Sequence, residues 1–125
     1  MPYTTEYRDN CLYRDWTGLV TGNELFDALE SAMRDVMKGQ QIDKTFYDFS
    51  AVSVFDVSTE DILRYSDKCI SISKLTPNVK MVVVAQTDLS FGVSRMWEML
   101  VDKTEWKIKI FRSRESAESW LATAL

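Results

Sequence analysis

The sequence predicts an α/β fold: a mixed, mostly parallel five-stranded sheet with an N-terminal antiparallel hairpin and four helices. Three observations carry this. Strand-like and helix-like segments alternate after Thr21, giving the order ββαβαβαβα, and such alternation implies parallel strands joined by right-handed crossovers. Two extended segments at the N-terminus are separated only by Asp9-Asn10, residues that tolerate the left-handed geometry of a tight hairpin turn. Lys80 to Ala85 is apolar on both faces, which predicts a central strand covered on both sides.

The elements follow in order. Tyr3 to Arg8 and Cys11 to Trp16 form the hairpin, and Trp16-Thr17-Gly18 is expected to end the second strand. Thr21 and Glu24 make a capping box for a helix running to about Lys38. Its stripe of Leu25, Ala28, Leu29, Ala32, Met33 and Val36 has helical spacing, and Gly39 is a good stop. Thr45 to Phe49 is short, aromatic and β-branched, as an inner strand should be. Ser50 is expected to end it, with Val52, Val54 and Phe55 plugging the end of the core. Ser58 and Asp61 make a second capping box, ahead of a helix with the stripe Ile62, Tyr65, Cys69 and Ile72, joined by Leu63 and Ile70. Pro77-Asn78 marks a break. Asp88 is expected to cap the next helix, which runs to about Val101 with Leu89, Val93, Met96, Trp97 and Leu100 inward. Trp106 to Phe111 alternates as a strand with one wet face does. Ser113 caps the last helix, with Ala117, Trp120, Leu121 and Leu125 inward.

Composition narrows the function. At 125 residues the chain reads as one domain, able to bury a core unaided. The net charge is −4 and no Lys/Arg cluster appears in the sequence, which argues against nucleic acid. No apolar run reaches the length of a membrane span, and the polar N-terminus predicts a cytoplasmic protein. Cys11 and Cys69 sit in apolar patterns and read as buried free thiols. The absence of histidine removes the commonest metal ligand and general base. Neither a cofactor nor a metal is expected, and no phosphate-binding loop surrounds Gly18, Gly22 or Gly92.

The stretch Asp48-Phe49-Ser50-Ala51-Val52-Ser53-Val54-Phe55-Asp56-Val57-Ser58-Thr59 resembles the signature of the STAS domain, the fold of the SpoIIAA-like anti-sigma-factor antagonists. Asp48, Phe49, Ser50, Val52, Asp56 and Ser58 fall on the pattern Asp-Leu-Ser-x-Val-x-x-x-Asp-Ser-Ser-Gly. Val57 replaces its first paired serine and Thr59 its glycine. The resemblance implies that Ser58 is the regulatory phosphoacceptor, in a loop with Asp48, Asp56 and Thr59. Trp16-Thr17-Gly18 with Thr21-Gly22-x-Glu24-Leu25, Asp88-Leu89-x-Phe91-Gly92-x-Ser94-Arg95-Met96, and Phe111-Arg112-Ser113 with Ala117 and Trp120-Leu121 are similar to a bacterial SpoIIAA-like branch. That branch is grouped with STAS and, more distantly, with CRAL-TRIO lipid carriers.

From the residues alone, Ser58 is an N-cap before it is anything else, because its hydroxyl can accept the amide of Asp61. Asp48 and Asp56 are expected on opposite sides of a turn with no basic or nucleophilic partner nearby, so turn hydrogen bonds outweigh acid–base chemistry. Phe91, Arg95 and Met99 recur every four residues on a flank that the core stripe does not need. They are expected to form a partner surface, most simply that of a homodimer, with mid-helix Gly92 allowing a close approach. The functional expectation is a non-catalytic STAS-like protein-interaction module in bacterial signalling or regulation, not an enzyme. Its protein partner is not encoded in any motif. The alternative is a small carrier for a lipid or other hydrophobic ligand.

Overall fold

The computed structural model describes residues 2–123, so the expected inward placement of Leu125 lies outside the described residues. Among them the order is β1 (Tyr3–Arg8), β2 (Cys11–Thr21), α1 (Gly22–Met37), β3 (Lys44–Asp56), α2 (Thr59–Ser73), β4 (Lys80–Val84), α3 (Asp88–Leu100), β5 (Lys107–Phe111) and α4 (Arg114–Leu121). The strands lie side by side as β1-β2-β3-β4-β5. The β1–β2 pair is antiparallel and the other pairs are parallel, as the sequence predicts. Asp9 and Asn10 both take positive φ in the hairpin turn, and so does Gly39 behind α1.

One face of the sheet carries the larger core, where Leu25 and Leu29 of α1, Ile62 and Cys69 of α2 and Trp97 of α3 meet Trp16 and Val83. Among the described residues the other face is covered by α4, whose Ala117 and Leu121 pack on Phe46, Val82 and Val84. The outward parities of β4 are therefore both dry, which explains its unbroken apolar run. Lys107 and Lys109 mark the wet side of β5.

A helix of eight residues buries little, and polar anchors hold α4 at both ends. Arg114 donates to Asp48 at 3.0 Å and to Asp15 at 3.1 Å. At the other end Lys80 Nζ donates to the carbonyls of Trp120 and Thr123, each at 2.9 Å, and Lys44 Nζ to that of Leu121 at 3.1 Å. Cations suit the carbonyls at a helix C-terminus, where the dipole is negative. Lys80 is almost wholly buried, and burial pushes its ammonium below its usual range.

The structure departs from expectation in four places. Trp16-Thr17-Gly18 does not end β2, and Ser50 does not end β3; the two strands run on together to Thr21 and Asp56. From Asp15 opposite Asp48 the register passes to Thr17 opposite Ala51, and from Gly18 opposite Val52 to Leu19 opposite Val54, so β3 holds one extra residue at each step. Gly18, on β2 at the second step, takes φ 68°, a left-handed conformation that favours glycine. The bulges reset the alternation and turn Val54 outward, where it is 53% exposed instead of plugging the core.

The inner face of α3 is the second departure. Ser90, Ser94 and Trp97 are buried, whereas Leu89 is 59% exposed and Val93, Met96 and Leu100 pack only in part. Small serines bring the helix axis close to its neighbours, and the larger side chains pack from the flanks. Gly92 faces open space within the chain. Third, Leu63 of α2 is exposed, and Ser66 takes the inner position, its hydroxyl donating to Ile62 O at 2.7 Å. Fourth, the N-cap of α3 is Thr87, which accepts from Ser90 N–H at 3.1 Å; Asp88 instead pairs with Arg112 at 2.8 Å.

Candidate functional site

Each parallel strand but the last is followed by a helix that returns along the sheet, and α4 follows β5 after Arg112-Ser113. The N-termini of α1 to α4 therefore gather beyond the carboxyl ends of the strands, the pole where open α/β sheets bind their ligands. Four hydroxyl residues cap them: Thr21, Ser58, Thr87 and Ser113.

Ser58 stands at this pole, exposed, at the tip of the β2–β3 ladder. Its Oγ accepts from Asp61 N–H at 3.0 Å, and its own N–H donates to Asp61 Oδ2 at 3.1 Å. The capping box is thus complete. The Ser58 amide, then its hydroxyl and Arg64, hold the Asp61 carboxyl below the usual carboxylate range. Arg64 pairs with Asp61 at 3.3 Å while its guanidinium lies 4.9 Å from the centre of the Phe26 ring on α1. Gly22, the first residue of α1, lies against Asp61 so closely that a Cβ there would stand 2.5 Å from Asp61 Oδ2 and 2.8 Å from Asp61 Cβ. The first turns of α1 and α2 are therefore one packed unit.

The loop residues named with Ser58 divide. Asp56 and Thr59 are exposed beside it. Asp48 is not at this pole's surface. It is nearly buried on the α4 face, where it accepts from Ser50 N–H at 2.8 Å and from Arg114. The hydrogen bond to Ser50 is of the local kind expected, but the expectation of no basic partner is overturned, because Arg114 arrives from 66 residues away.

Leu19 was missed by the sequence reading. It lies opposite Val54 in the register, and the two are 52% and 53% exposed. Here β2 has run past β1 and β3 past β4: among the described residues the β1 side ends at the bond from Thr17 N–H to Pro2 O, 2.7 Å, and β4 pairs only as far as Asp48. An exposed apolar pair on a ladder whose outer edges, beyond Thr17 and Asp48, meet no strand among the described residues thus leads directly to Ser58. The signal was present in the β-branched run Val52 to Val57, which Ser50 disguised as a loop.

On α3, Phe91 is half-buried, with the Arg112 guanidinium 4.2 Å from its ring centre. Arg95 is exposed and pairs with Glu98 at 3.2 Å, and Met99 is 73% exposed.

A cavity of about 60 Å³ lies between α1, α2 and the sheet, lined by Leu29, Met33, Tyr47, Cys69, Trp97 and Trp106. Pockets that hold small ligands run from about 300 to 1,000 Å³, so the cavity does not support the carrier reading. Among the described residues no three of Cys, Asp and Glu converge as a metal site would require, and no helix is long and apolar enough to cross a membrane.

No family model matches the sequence, and no curated protein does. Solved structures do. A protein of the DUF3478 family with a SpoIIAA-like fold, from Shewanella loihica, aligns with a TM-score of 0.60 at 14% identity, covering 96% of this chain and 92% of its own. The anti-sigma factor antagonist SpoIIAA in its unphosphorylated form aligns with a TM-score of 0.62 at 6% identity, covering 98% and 99%. At such identities the agreement concerns architecture, and it spans both chains nearly end to end: this chain has the SpoIIAA-like, STAS-type fold.

Proposed function

We propose that the chain is a non-catalytic, cytoplasmic STAS-type interaction module that engages a protein partner through the pole around Ser58. The observation that carries this reading is the exposed Leu19–Val54 pair on a ladder whose outer edges meet no strand among the described residues. Exposed apolar residues beside free strand edges suit docking by an apolar segment or an added strand. Ser58 is the proposed phosphoacceptor, flanked by Asp56 and Thr59. A phosphate there would face free helix amides but would also stand among Asp56, Glu60 and Asp61. It would displace the Asp61 carboxylate from the cap and make the docking surface strongly anionic, so phosphorylation is expected to release the partner.

Photocrosslinking in cells tests this. A photoreactive residue at Val54 should capture a protein, and Leu19→Glu or Ser58→Asp should abolish the capture. Equal capture from the exposed Lys109 on β5 would count against the reading, as would capture indifferent to Leu19→Glu.

The α3 flank of Phe91, Arg95 and Met99 is proposed as a second contact, most simply a two-fold homodimer. The support is Met99, whose side chain is left in water at a cost of about 1.5–3 kcal/mol of unused burial. Light scattering should show a dimer that Met99→Glu and Phe91→Glu convert to monomers; a monomeric parent at high concentration would dismiss it.

A further inference from the structure

At the opposite pole, the C-terminal halves of α1 and α2 enclose an open groove of about 520 Å³. Its apolar lining comes from Met33 and Met37 of α1, Ile72 of α2 and Leu75 just beyond it. Met37 is 77% exposed and Leu75 62%, so neither is satisfied by packing within the chain. Arg34, Lys38 and Lys68 stand on the rim, with Glu30 as the one acid. None of these three cations forms an ion pair among the described residues. The helix dipole accounts for a cation near the end of α1, but not for the uncovered methionine and leucine between the cations.

We propose that this groove is a docking site for an acidic amphipathic helix of a partner protein, separate from the surface around Ser58. Charge decides the sign of the occupant: the chain as a whole carries −4, yet the rim carries three cations against Glu30. The two helices decide its form: an open groove between helix ends receives a ridge of side chains spaced as on a helix. Methionine in the lining adapts to the ridge it meets. Each turn of the incoming helix sets leucine-like anchors into the lining and carboxylates against Arg34, Lys38 and Lys68. The sequence conceals the site because its cations lie on two helices and meet only when these pack.

The test uses the full chain and a synthetic peptide of about 14 residues, long enough for a bound helix. Its apolar face carries leucine at i, i+3, i+4 and i+7, and its polar face carries glutamate. Methyl NMR should show saturable binding that moves the Met33 and Met37 signals. Met37→Glu should weaken binding by about tenfold or more, and Lys38→Glu with Lys68→Glu should weaken it and flatten its salt dependence. Lys109→Glu, on β5, should change neither. Circular dichroism confirms that each variant is folded. The proposal is overturned if binding does not saturate, if a lysine-faced peptide of the same apolar pattern binds as well, or if phosphatidylserine vesicles bind the chain and the peptide does not. It is also overturned if sedimentation shows a dimer that Met37→Glu dissociates, since the occupant is then a second copy of the chain. These outcomes leave the Ser58 surface untouched, because Leu19→Glu and Val54 crosslinking report on it independently.

Discussion

Gly22→Ala isolates the contact that joins the two helix starts beside Ser58. In a helix, alanine ordinarily gains about 0.5–1 kcal/mol over glycine. Here the new methyl would lie 2.8 Å from Asp61 Cβ and 2.5 Å from Asp61 Oδ2. The carboxylate cannot swing clear while its own Cβ is in the way, so either the Ser58–Asp61 box opens or the two helices separate. Losing the box costs about 1 kcal/mol, and overpacking at a rigid contact costs about 1–3 kcal/mol. Set against the gain in helix propensity, the net loss is about 0–2.5 kcal/mol.

Urea unfolding reads this directly. With a slope of about 2 kcal/mol per molar, a loss of about 2 kcal/mol lowers the midpoint by roughly 1 M. Asp61→Gly removes the obstructing atoms, so Gly22→Ala in that background should regain its ordinary helix benefit. The double-mutant cycle then gives a coupling of about 1–3 kcal/mol. If Gly22→Ala stabilises the parent chain, or the coupling vanishes, the first turns of α1 and α2 are not packed as described.

Three further predictions follow from buried and capping groups. Ser58→Ala should cost about 1 kcal/mol in urea unfolding and Ser58→Asp less, since aspartate also caps; equal stability of all three chains would remove the capping role. Arg14 is fully buried with no carboxylate pairing among the described residues, donates to Ala28 O and Tyr47 Oη, and leaves Nη2 without a partner; Arg14→Met with Tyr47→Phe should therefore be as stable as the parent or more so, and a loss above about 2 kcal/mol in the double variant would contradict this. Burial pushes the Cys69 thiol from 9.0 up to about 12 and the Tyr65 phenol well above its usual value. The folded chain then holds protons that the unfolded chain releases, so stability is full below about pH 9 and falls as pH rises towards 12, and a urea midpoint unchanged between about pH 8 and 10.5 would refute the burial of these groups.

Local chemistry made much of this fold readable. The Asp9-Asn10 turn, the Thr21 and Ser58 boxes, the Ser113 cap and Gly39 are each decided by residues within four positions of one another, and each appears as expected. What the sequence hid depends on distant partners. Ser50 looks like the end of a strand until β2 runs alongside it. Leu89 looks like core until Ser90 and Ser94 prove to be the residues small enough for the place that α3 occupies. Arg14 was readable in principle: it shares the parity of Leu12 and Trp16 on β2 and is buried with them. A charged residue on the inner parity of a strand signals a buried polar contact, which here runs to Tyr47 and to the α1 backbone.

The two proposed surfaces stand at opposite ends of α2, and their separation bears on how they could act. A helix of 15 residues is about 22 Å long at about 1.5 Å per residue. The screening length at physiological salt is about 8 Å, so a phosphate on Ser58 is almost invisible to Lys68 and Lys38 through solvent. Any influence of one pole on the other must pass through the helices that reach both, α1 and, on the Ser58 side, α2. Helix α2 is well placed to carry it: its first turn is wedged against Gly22, its middle packs Tyr65 against Trp97 of α3 at 6.4 Å between ring centres, and its last turn supplies Ile72 to the groove. The Ser58–Asp61 box thus sits where the first turns of α1 and α2 meet, the two helices that reach from one proposed surface to the other.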